Sequence, residues 1–326
     1  DKAYLLINLG RTHGRLGILD SANLATHRLR SFEILQEADA VADEIGDPRA
    51  SSFALGYMGA LYEGERRLGD ALELTRRAIF QAQQVAFPES LYLWHWQAGR
   101  LLEGLGRREE AIASYGQAVE ILEGLRYQLP VAYQASGKSF EEAVGPVYFE
   151  LVDLLLRLAA ESDEPVRAQK LLVQARDTVE LLKKAELRDY FRDECVDALE
   201  ATIRSAEEVS SRAAVVYPIL LPDRTELLLS FGEAGMKRYS VPVGLEEMTA
   251  EIQRFRALLE KRTTYQYRRH GQKLYDWLIR PFEAELVRRN IETLVFVPGG
   301  ALRTIPMSAL QDGNRFLVEK LSLIHI

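Results

Sequence analysis

Four positions recur at an interval of 40 residues, and they constrain the fold more than anything else in the chain. Gly59, Tyr62, Ala71 and Ala78 fall opposite Gly99, Leu102, Ala111 and Ala118 without a gap. Two helices cross closely only where Gly or Ala stands in place of a large side chain. The Leu and aromatic positions then fill the groove to the next pair. In the second segment Tyr115 occupies the aromatic position between Ala111 and Ala118. The pattern predicts stacked helical hairpins, because one hairpin alone cannot bury its apolar face.

The helical texture runs from residue 1 to about 210, rich in Ala, Leu, Glu, Arg and Gln and poor in Pro. Residues 1–48 read as an earlier, more divergent pair. Leu6, Leu9 and Gly10 lie on its first helix, and Phe32, Leu35, Ala38 and Val41 on its second, before Asp47-Pro48. Residues 141–159 and 165–184 form another pair. Ser139 followed by Glu142 is a capping box, and Ser162-Asp163-Glu164-Pro165 ends one helix and opens the next. The Gly/Ala spacing resembles the tetratricopeptide (TPR) repeat. A unit near 40 residues exceeds the common 34 and is shared by HEAT-type repeats, so the length alone does not decide between them; the small-residue spacing favours TPR.

The texture changes at about Ala213. Val215–Leu220, Glu226–Phe231 and Lys237–Val241 are short turn-punctuated runs that predict an antiparallel meander. Leu245, Met248, Ile252, Phe255 and Leu259 recur at helical spacing. A further helix carries Leu274, Trp277 and Leu278, is interrupted at Pro281 and resumes through Leu286. A buried strand is predicted at Leu294–Val297, then a Pro298-Gly299-Gly300 turn whose glycines serve positive-φ positions. Phe316–Val318 and Leu321–Ile326 are two more β-rich runs. Alternating strands and helices indicate an α/β layer fold.

The run LVFVPGGALRTIPMSAL at 294–310 resembles the strand, P-[DG]-G-x-L-x-x-[IL]-P-[FM]-x-[AS]-L core of CHAT domains, which are caspase-like modules attached to TPR arrays. Gly299 stands where Asp is common in that family. The stretch Ala175–Ala198, with Glu186, Leu187, Tyr190, Phe191 and Cys195, resembles the helix that precedes CHAT domains. The resemblance implies an all-α TPR-like superhelix over residues 1–210 and the N-terminal portion of a CHAT domain over 213–326. For the parent protein it implies a bacterial caspase-like cysteine endopeptidase whose repeats sense a partner and control the protease. In the family the catalytic His and Cys follow the matched motif, so they are expected beyond this chain, which is expected to be inactive by itself. The alternative is a non-catalytic scaffold with a degenerate peptidase fold.

Caspase-like chemistry needs a thiolate beside a His, with backbone N–H groups for the oxyanion. Cys195, the one thiol, sits in a helical run with no His three or four positions away, and reads as a packing residue. His325 lies in a terminal apolar strand and does not match the family's base. His95 lies between Trp94 and Trp96 as a repeat-packing residue. His13, His27 and His270 are solitary in sequence, and no pair has zinc-ligand spacing; no metal or cofactor is expected. Ala135-Ser136-Gly137-Lys138-Ser139 lacks the phosphate-loop spacing, since Ala132 stands at the first Gly position. The basic and aromatic stretch at 261–273 could track a phosphate backbone with Tyr265 and Tyr267 stacking on bases. The preferred reading is a solvated helix face with both aromatics turned to the core, and the CHAT resemblance also implies a surface helix there.

The net charge of −7 gives no argument for nucleic acid or an anionic membrane as partner. The single cysteine fits a reducing compartment such as the cytoplasm. The expected partner is a protein or peptide in the concave face of the array. By the repeat register that face includes Phe53, Ala60 and Glu63 in one unit and Trp96, Arg100 and Glu103 in the next. An aromatic beside an Arg–Glu pair supplies an anchor and an orientation. Trp96 has a second reading, as a residue buried between repeats. The apolar run at Leu321–Ile326 adds an expectation of self-association through an open sheet edge, or of disorder in the last residues.

Overall fold

The computed structural model describes residues 2–125, 140–191, 212–232, 235–261 and 265–325, without the side chains of 140–142 and 187–191. Ser139 and its cap with Glu142, the 135–139 loop and Cys195 lie outside the described residues. The chain divides into two compact units, Asp1–Leu154 and Leu155–Ile326.

The first unit is a run of antiparallel hairpins. α1 (Lys2–Leu19) pairs with α2 (Leu24–Ile45), α3 (Pro48–Gly64) with α4 (Leu68–Gln84), and α5 (Pro88–Gly104) with α6 (Arg108–Leu125). α7 (Phe140–Glu161) follows and crosses the division between units. Pro opens α3 and α5 at the first helical turn, where its missing N–H leaves no bond unmade. The Asp47 carboxylate accepts from Ala50 N at 3.0 Å, so Asp47-Pro48 starts α3, while Gly46 in the left-handed region closes α2. Arg66, Ala86 and Gly106 repeat that left-handed turn. For Arg66 and Ala86 the conformation costs about 1–2 kcal/mol each.

The small-residue logic is visible at the hairpin crossings. A Cβ on Gly59 would lie 2.9 Å from Thr75 Oγ1, and one on Gly99 would lie 2.8 Å from the Tyr115 ring. A Cβ on Gly10 would meet Leu35 at 2.8 Å. Leu35, Thr75 and Tyr115 are thus equivalent, as are Ala38, Ala78 and Ala118, all buried. The 40-residue period therefore extends back into α2. The first hairpin escapes ungapped alignment because α1 runs further past Gly10, and α2 begins further before Leu35, than the matching helices of the later hairpins, while the link Asp20–Asn23 adds only a little. Each hairpin rests on the previous one through α2 against α3 and α4 against α5.

The second unit begins by packing with α8 (Pro165–Phe191), although its helical texture groups it with the array. The sheet comprises β1 (Ala213–Leu220), β2 (Thr225–Ser230), β3 (Met236–Val241), β4 (Thr293–Phe296) and β5 (Ser322–His325), in the order β3-β2-β1-β4-β5. β1, β2 and β3 form the expected antiparallel meander. β4 pairs parallel to β1, with Val216 opposite Phe296, and β5 parallel to β4, with His325 opposite Phe296. A parallel pair needs a crossover, supplied by α9 (Leu245–Leu259), α10 (Tyr267–Leu278) and α11 (Arg280–Arg288). Their core residues Met248, Ile252, Phe255, Leu274, Leu278 and Phe282 pack with Ala214, Val216, Leu227, Leu229, Leu294 and Phe296 on one sheet face. β1 and β2 are buried on both faces, which explains their continuous apolar runs.

Three local expectations are corrected. Residues 317–319 form a 3-10 turn, because the Phe316 N–H is taken by the Glu319 carboxylate at 2.6 Å and Leu317 alone points inward. Gly299 is extended, with φ −114°, and only Gly300, φ +49°, uses the left-handed region. Leu245 lies off the buried face of α9, half-exposed.

Candidate functional site

Four helices, α3, α5, α6 and α7, bring one polar cluster together. Arg100 on α5 donates from Nε to Glu63 Oε1 on α3 at 2.7 Å and from Nη2 to Glu63 Oε2 at 3.1 Å. Its guanidinium lies over the Trp96 ring, 4.7 Å from the centroid. The Trp96 indole N–H donates to Glu150 on α7 at 2.7 Å. The Tyr115 hydroxyl reaches Glu150 at 3.2 Å and Glu103 at 3.4 Å. Glu63, Trp96, Arg100 and Glu103 therefore meet. Phe53 does not join them: it packs against Tyr57, Phe87 and Trp94. Ala60 is exposed. Trp96 is half-buried and bridges α5 to α7, which joins its two readings in one residue.

The cluster's electrostatics follow from its partial burial. Burial pushes the Glu150 carboxyl up, more than Arg100 and the Trp96 and Tyr115 hydrogen bonds pull it down. Burial, then the Glu150 and Glu103 charges, push the Tyr115 hydroxyl far above the ordinary tyrosine range. Burial works against the Arg100 charge, but Glu63 and Glu150 outweigh it and hold the guanidinium above its ordinary value. One cation thus sits among three carboxylates with an indole face beneath it. Tyr115 and Glu150 completed the site without being identified as such in the sequence. Tyr115 carried a signal through the repeat; Glu150 carried none, because the segment before α7 breaks the period.

In the second unit α8 is clasped to the turn after β4. Lys183 Nζ donates to the Pro298 carbonyl. Arg303 Nε donates to the same carbonyl at 3.2 Å, and its guanidinium pairs with Glu186. Higher on α8, the Gln169 amide both donates to Met236 O at 2.8 Å and accepts from Met236 N at 2.9 Å, sealing the start of edge strand β3. The Pro298 turn lies at the carboxyl end of a parallel strand, the edge at which open α/β sheets bind ligands.

Several ionic hubs hold this unit. Lys320 Nζ reaches Asp312 at 2.5 Å, Glu283 at 2.8 Å and the Tyr275 hydroxyl at 2.9 Å. Glu285 on α11 receives Lys237 at 2.9 Å, Arg289 at 2.5 Å and Arg288. Glu226, fully buried on β2, accepts from Arg224, Arg238 and Ser240 through Oε1, and its Oε2 has no partner among the described residues. The buried Glu251 carboxylate holds His270 Nδ1 at 2.5 Å and Lys273 at 3.3 Å.

Three histidine readings change with these distances. His270 belongs to that network, and His13 lies with its Nδ1 3.3 Å from His27 Nδ1, so none of the three is solitary. His95 is held below its ordinary value by burial, in keeping with a packing role. His325 stacks on Phe296 at 5.7 Å. Tyr265 is exposed with Arg268 over its ring, whereas Tyr267 alone packs toward the core. Among the described residues no three His, Cys, Asp or Glu side chains could hold a metal, and no helix is long and apolar enough to cross a membrane.

Residues 268–325 match the CHAT domain family. No curated protein matches the chain at a significant level. Among solved structures, the chain is similar to a kinesin light chain protein of nearly identical TPR-like repeats from Podosopora anserina. The identity is 18% and the TM-score 0.31, over 63% of this chain and 99% of that one. It is also similar to BtubC (BKLC) from P. vanneervenii, at 13% identity and TM-score 0.28, over 62% of this chain and 92% of that one. The repeat assignment rests on the hairpin packing above rather than on these superpositions. The chain is a TPR-like helical repeat array followed by a mixed sheet region that carries the CHAT match.

Proposed function

We propose that the array captures a protein or peptide partner and thereby regulates a caspase-like cysteine endopeptidase of the CHAT type. Glu63, Trp96, Arg100 and Glu103, with Glu150, form the partner-binding face, the buried Tyr115 holds Glu150 from beneath, and Phe53 serves as an aromatic support behind it. The boundary between the two functional parts is proposed at residues 210–213. The observation that carries the regulatory reading is the clasp of α8 on the Pro298 turn. α8 follows the array in sequence and ends at the carboxyl edge of β4, where a family nucleophile and base would be served. A strain passed along α8 would reach Lys183, Glu186 and Arg303 and shift that turn. Peptidase activity, a bacterial origin and a cytoplasmic location follow from the family resemblance and belong to the same proposal.

The test pairs binding with reactivity. Proteins captured from a lysate by the chain are identified, and each candidate is titrated against wild type and Arg100→Glu. Reversing that charge takes the cation from Glu63 and from Glu150, leaves Glu150 its Trp96 and Tyr115 hydrogen bonds, and removes the cation over Trp96. It should weaken a genuine partner by roughly 10–100-fold, as hot-spot residues do, with the far-UV spectrum unchanged. A partner bound equally by both would refute the assigned face. Hydrolysis of a peptide library by the chain alone would refute the expectation that it is inactive by itself.

A further inference from the structure

The basic stretch at 261–273 supplies one wall of a cavity that the proposed function leaves unused. α9 and α10 pack their inner sides on the sheet through Met248, Ile252, Phe255, Leu274 and Leu278. They approach closely at Gly271, where a Cβ would lie 3.0 Å from the Phe255 ring and 3.2 Å from the Ala309 carbonyl oxygen. That approach brings the residues on either side of Gly271 against α9. Between the two helices lies a cavity of about 540 Å³, lined by Glu251 and Arg254 of α9 and by Arg269, His270, Gln272, Lys273 and Asp276 of α10.

Glu251 organises this wall. It is 2% exposed, a costly place for a carboxylate unless donors surround it. His270 Nδ1 at 2.5 Å, Lys273 Nζ at 3.3 Å and Arg254 Nη1 at 3.4 Å are those donors. Burial pushes the Glu251 carboxyl up, but His270 and Lys273 outweigh it and hold it below its ordinary value. The ionised carboxylate keeps a proton on His270 Nδ1, so the ring is fixed and Nε2 is its remaining polar atom. A merely solvated helix face needs no buried carboxylate to hold an imidazole and an ammonium.

The donors exceed what the walls accept. Arg269, Gln272 and His270 Nε2 make no side-chain hydrogen bond or ion pair among the described residues. The Asp276 carboxylate is taken by Arg280, at 3.0 and 3.1 Å. Lys273 also approaches Glu247, at 3.8 Å. Glu251 and the more distant Glu247 thus answer three cations, Arg254, Arg269 and Lys273, beside an imidazole. The surplus is positive, and its unused donors line one cavity.

The lining selects the ligand. It holds no apolar side chain, which disfavours a lipid tail or a nucleobase as occupant. A guanidinium fork with an amide, an ammonium and an imidazole matches a phosphoryl group, which offers three acceptor oxygens and up to two negative charges. A carboxylate offers fewer of both. The volume falls within the range of small-molecule sites. We propose that this cavity binds the phosphate of a small polar phosphomonoester through Arg269, His270 and Lys273, with Glu251 positioning the imidazole and the ammonium.

Calorimetric titration of the full chain at about 50 mM salt tests this, with glycerol 2-phosphate and acetate as probes. Glycerol 2-phosphate should bind with a dissociation constant of about 1 mM or tighter, and acetate roughly 10-fold more weakly or worse. Arg269 is exposed and bonded to no other side chain, so Arg269→Ala should keep the thermal midpoint. It should weaken glycerol 2-phosphate by roughly 10-fold, the loss of one charge-assisted hydrogen bond. If that variant loses its midpoint, Arg254→Ala, at a side chain 63% exposed, takes its place with the same expectation. Glycerol 2-phosphate without measurable heat up to about 10 mM would overturn the proposal. So would acetate bound as tightly as the phosphomonoester, or an affinity that the substitution leaves unchanged. Binding confined to vesicles containing phosphatidic acid, or to a single-stranded oligonucleotide, would overturn it as well and return residues 261–273 to a membrane surface or a phosphate backbone.

Discussion

Replacing Gly99 by Ala should destabilise the array, whereas the same replacement at Gly116, the residue after Tyr115 on the partner helix, should stabilise it. Both residues lie inside helices, where Ala is favoured over Gly by roughly 1 kcal/mol. Gly116 has no heavy atom within 4 Å of the new methyl group, so most of that gain survives. At Gly99 the methyl would sit 2.8 Å from two Tyr115 ring carbons and 2.9 Å from a third. Carbons in contact prefer roughly 3.5–4.0 Å, so the ring must retreat by most of an ångström. It has little freedom, being 1% exposed and tied by its hydroxyl to Glu150 and Glu103. Overpacking of this kind costs about 1–3 kcal/mol. The net change at Gly99 is then about 0–2 kcal/mol destabilising, set against about 0.5–1 kcal/mol stabilising at Gly116. Urea unfolding followed at 222 nm reads both variants on the same transition. Equal stabilisation by the two would mean that α5 does not rest on Tyr115, and the hairpin register would be wrong.

Lys320→Met should cost roughly 2–4 kcal/mol, because Asp312 and Glu283 lose the cation they share while their remaining bonds, to backbone N–H groups, Tyr275 and Arg280, persist. An unfolding midpoint indistinguishable from wild type would remove Lys320 as the hub of the CHAT-matching segment. Glu285 is held down at about 2 from the ordinary 4.5, first by Arg289 and then by Lys237 and Arg288 acting against burial. A lowered carboxyl stabilises the fold fully above about pH 4.5 and loses that contribution as pH falls toward 2. Glu285→Gln should therefore be less stable than wild type at pH 6, with the gap closing by pH 2.5; a gap that stays constant across that range would sink the assignment.

The elements that were legible were those whose signal is local. Ala71, Ala78, Ala111 and Ala118 announced hairpins because each must be small for its own helix pair to close. Pro281 announced the break between α10 and α11, and the apolar runs at 215–220 and 226–231 the first two strands. The misses have physical reasons too. Phe316–Val318 has strand composition, but the Phe316 N–H donates to the Glu319 side-chain carboxylate and turns the segment into a 3-10 element. Tyr265 shares its neighbours' composition with Tyr267, but α10 begins only at Tyr267, so Tyr267 is set against the core while Tyr265, before the helix, faces water.

By itself the sequence determined the helical arm, its hairpin unit and the strand-turn segment that carries the family match. Those follow from side-chain size, periodicity and turn chemistry within a few residues of each other. Tertiary structure alone decided that β4 enters the sheet beside β1 rather than after β3, and that Glu150 completes the Trp96–Arg100 cluster. It alone drew α8 to the sheet, through Gln169 on Met236 and Lys183 on Pro298. Each of these joins groups at least 50 residues apart, and their energy is that of bonds and buried area, which no local pattern of residues encodes.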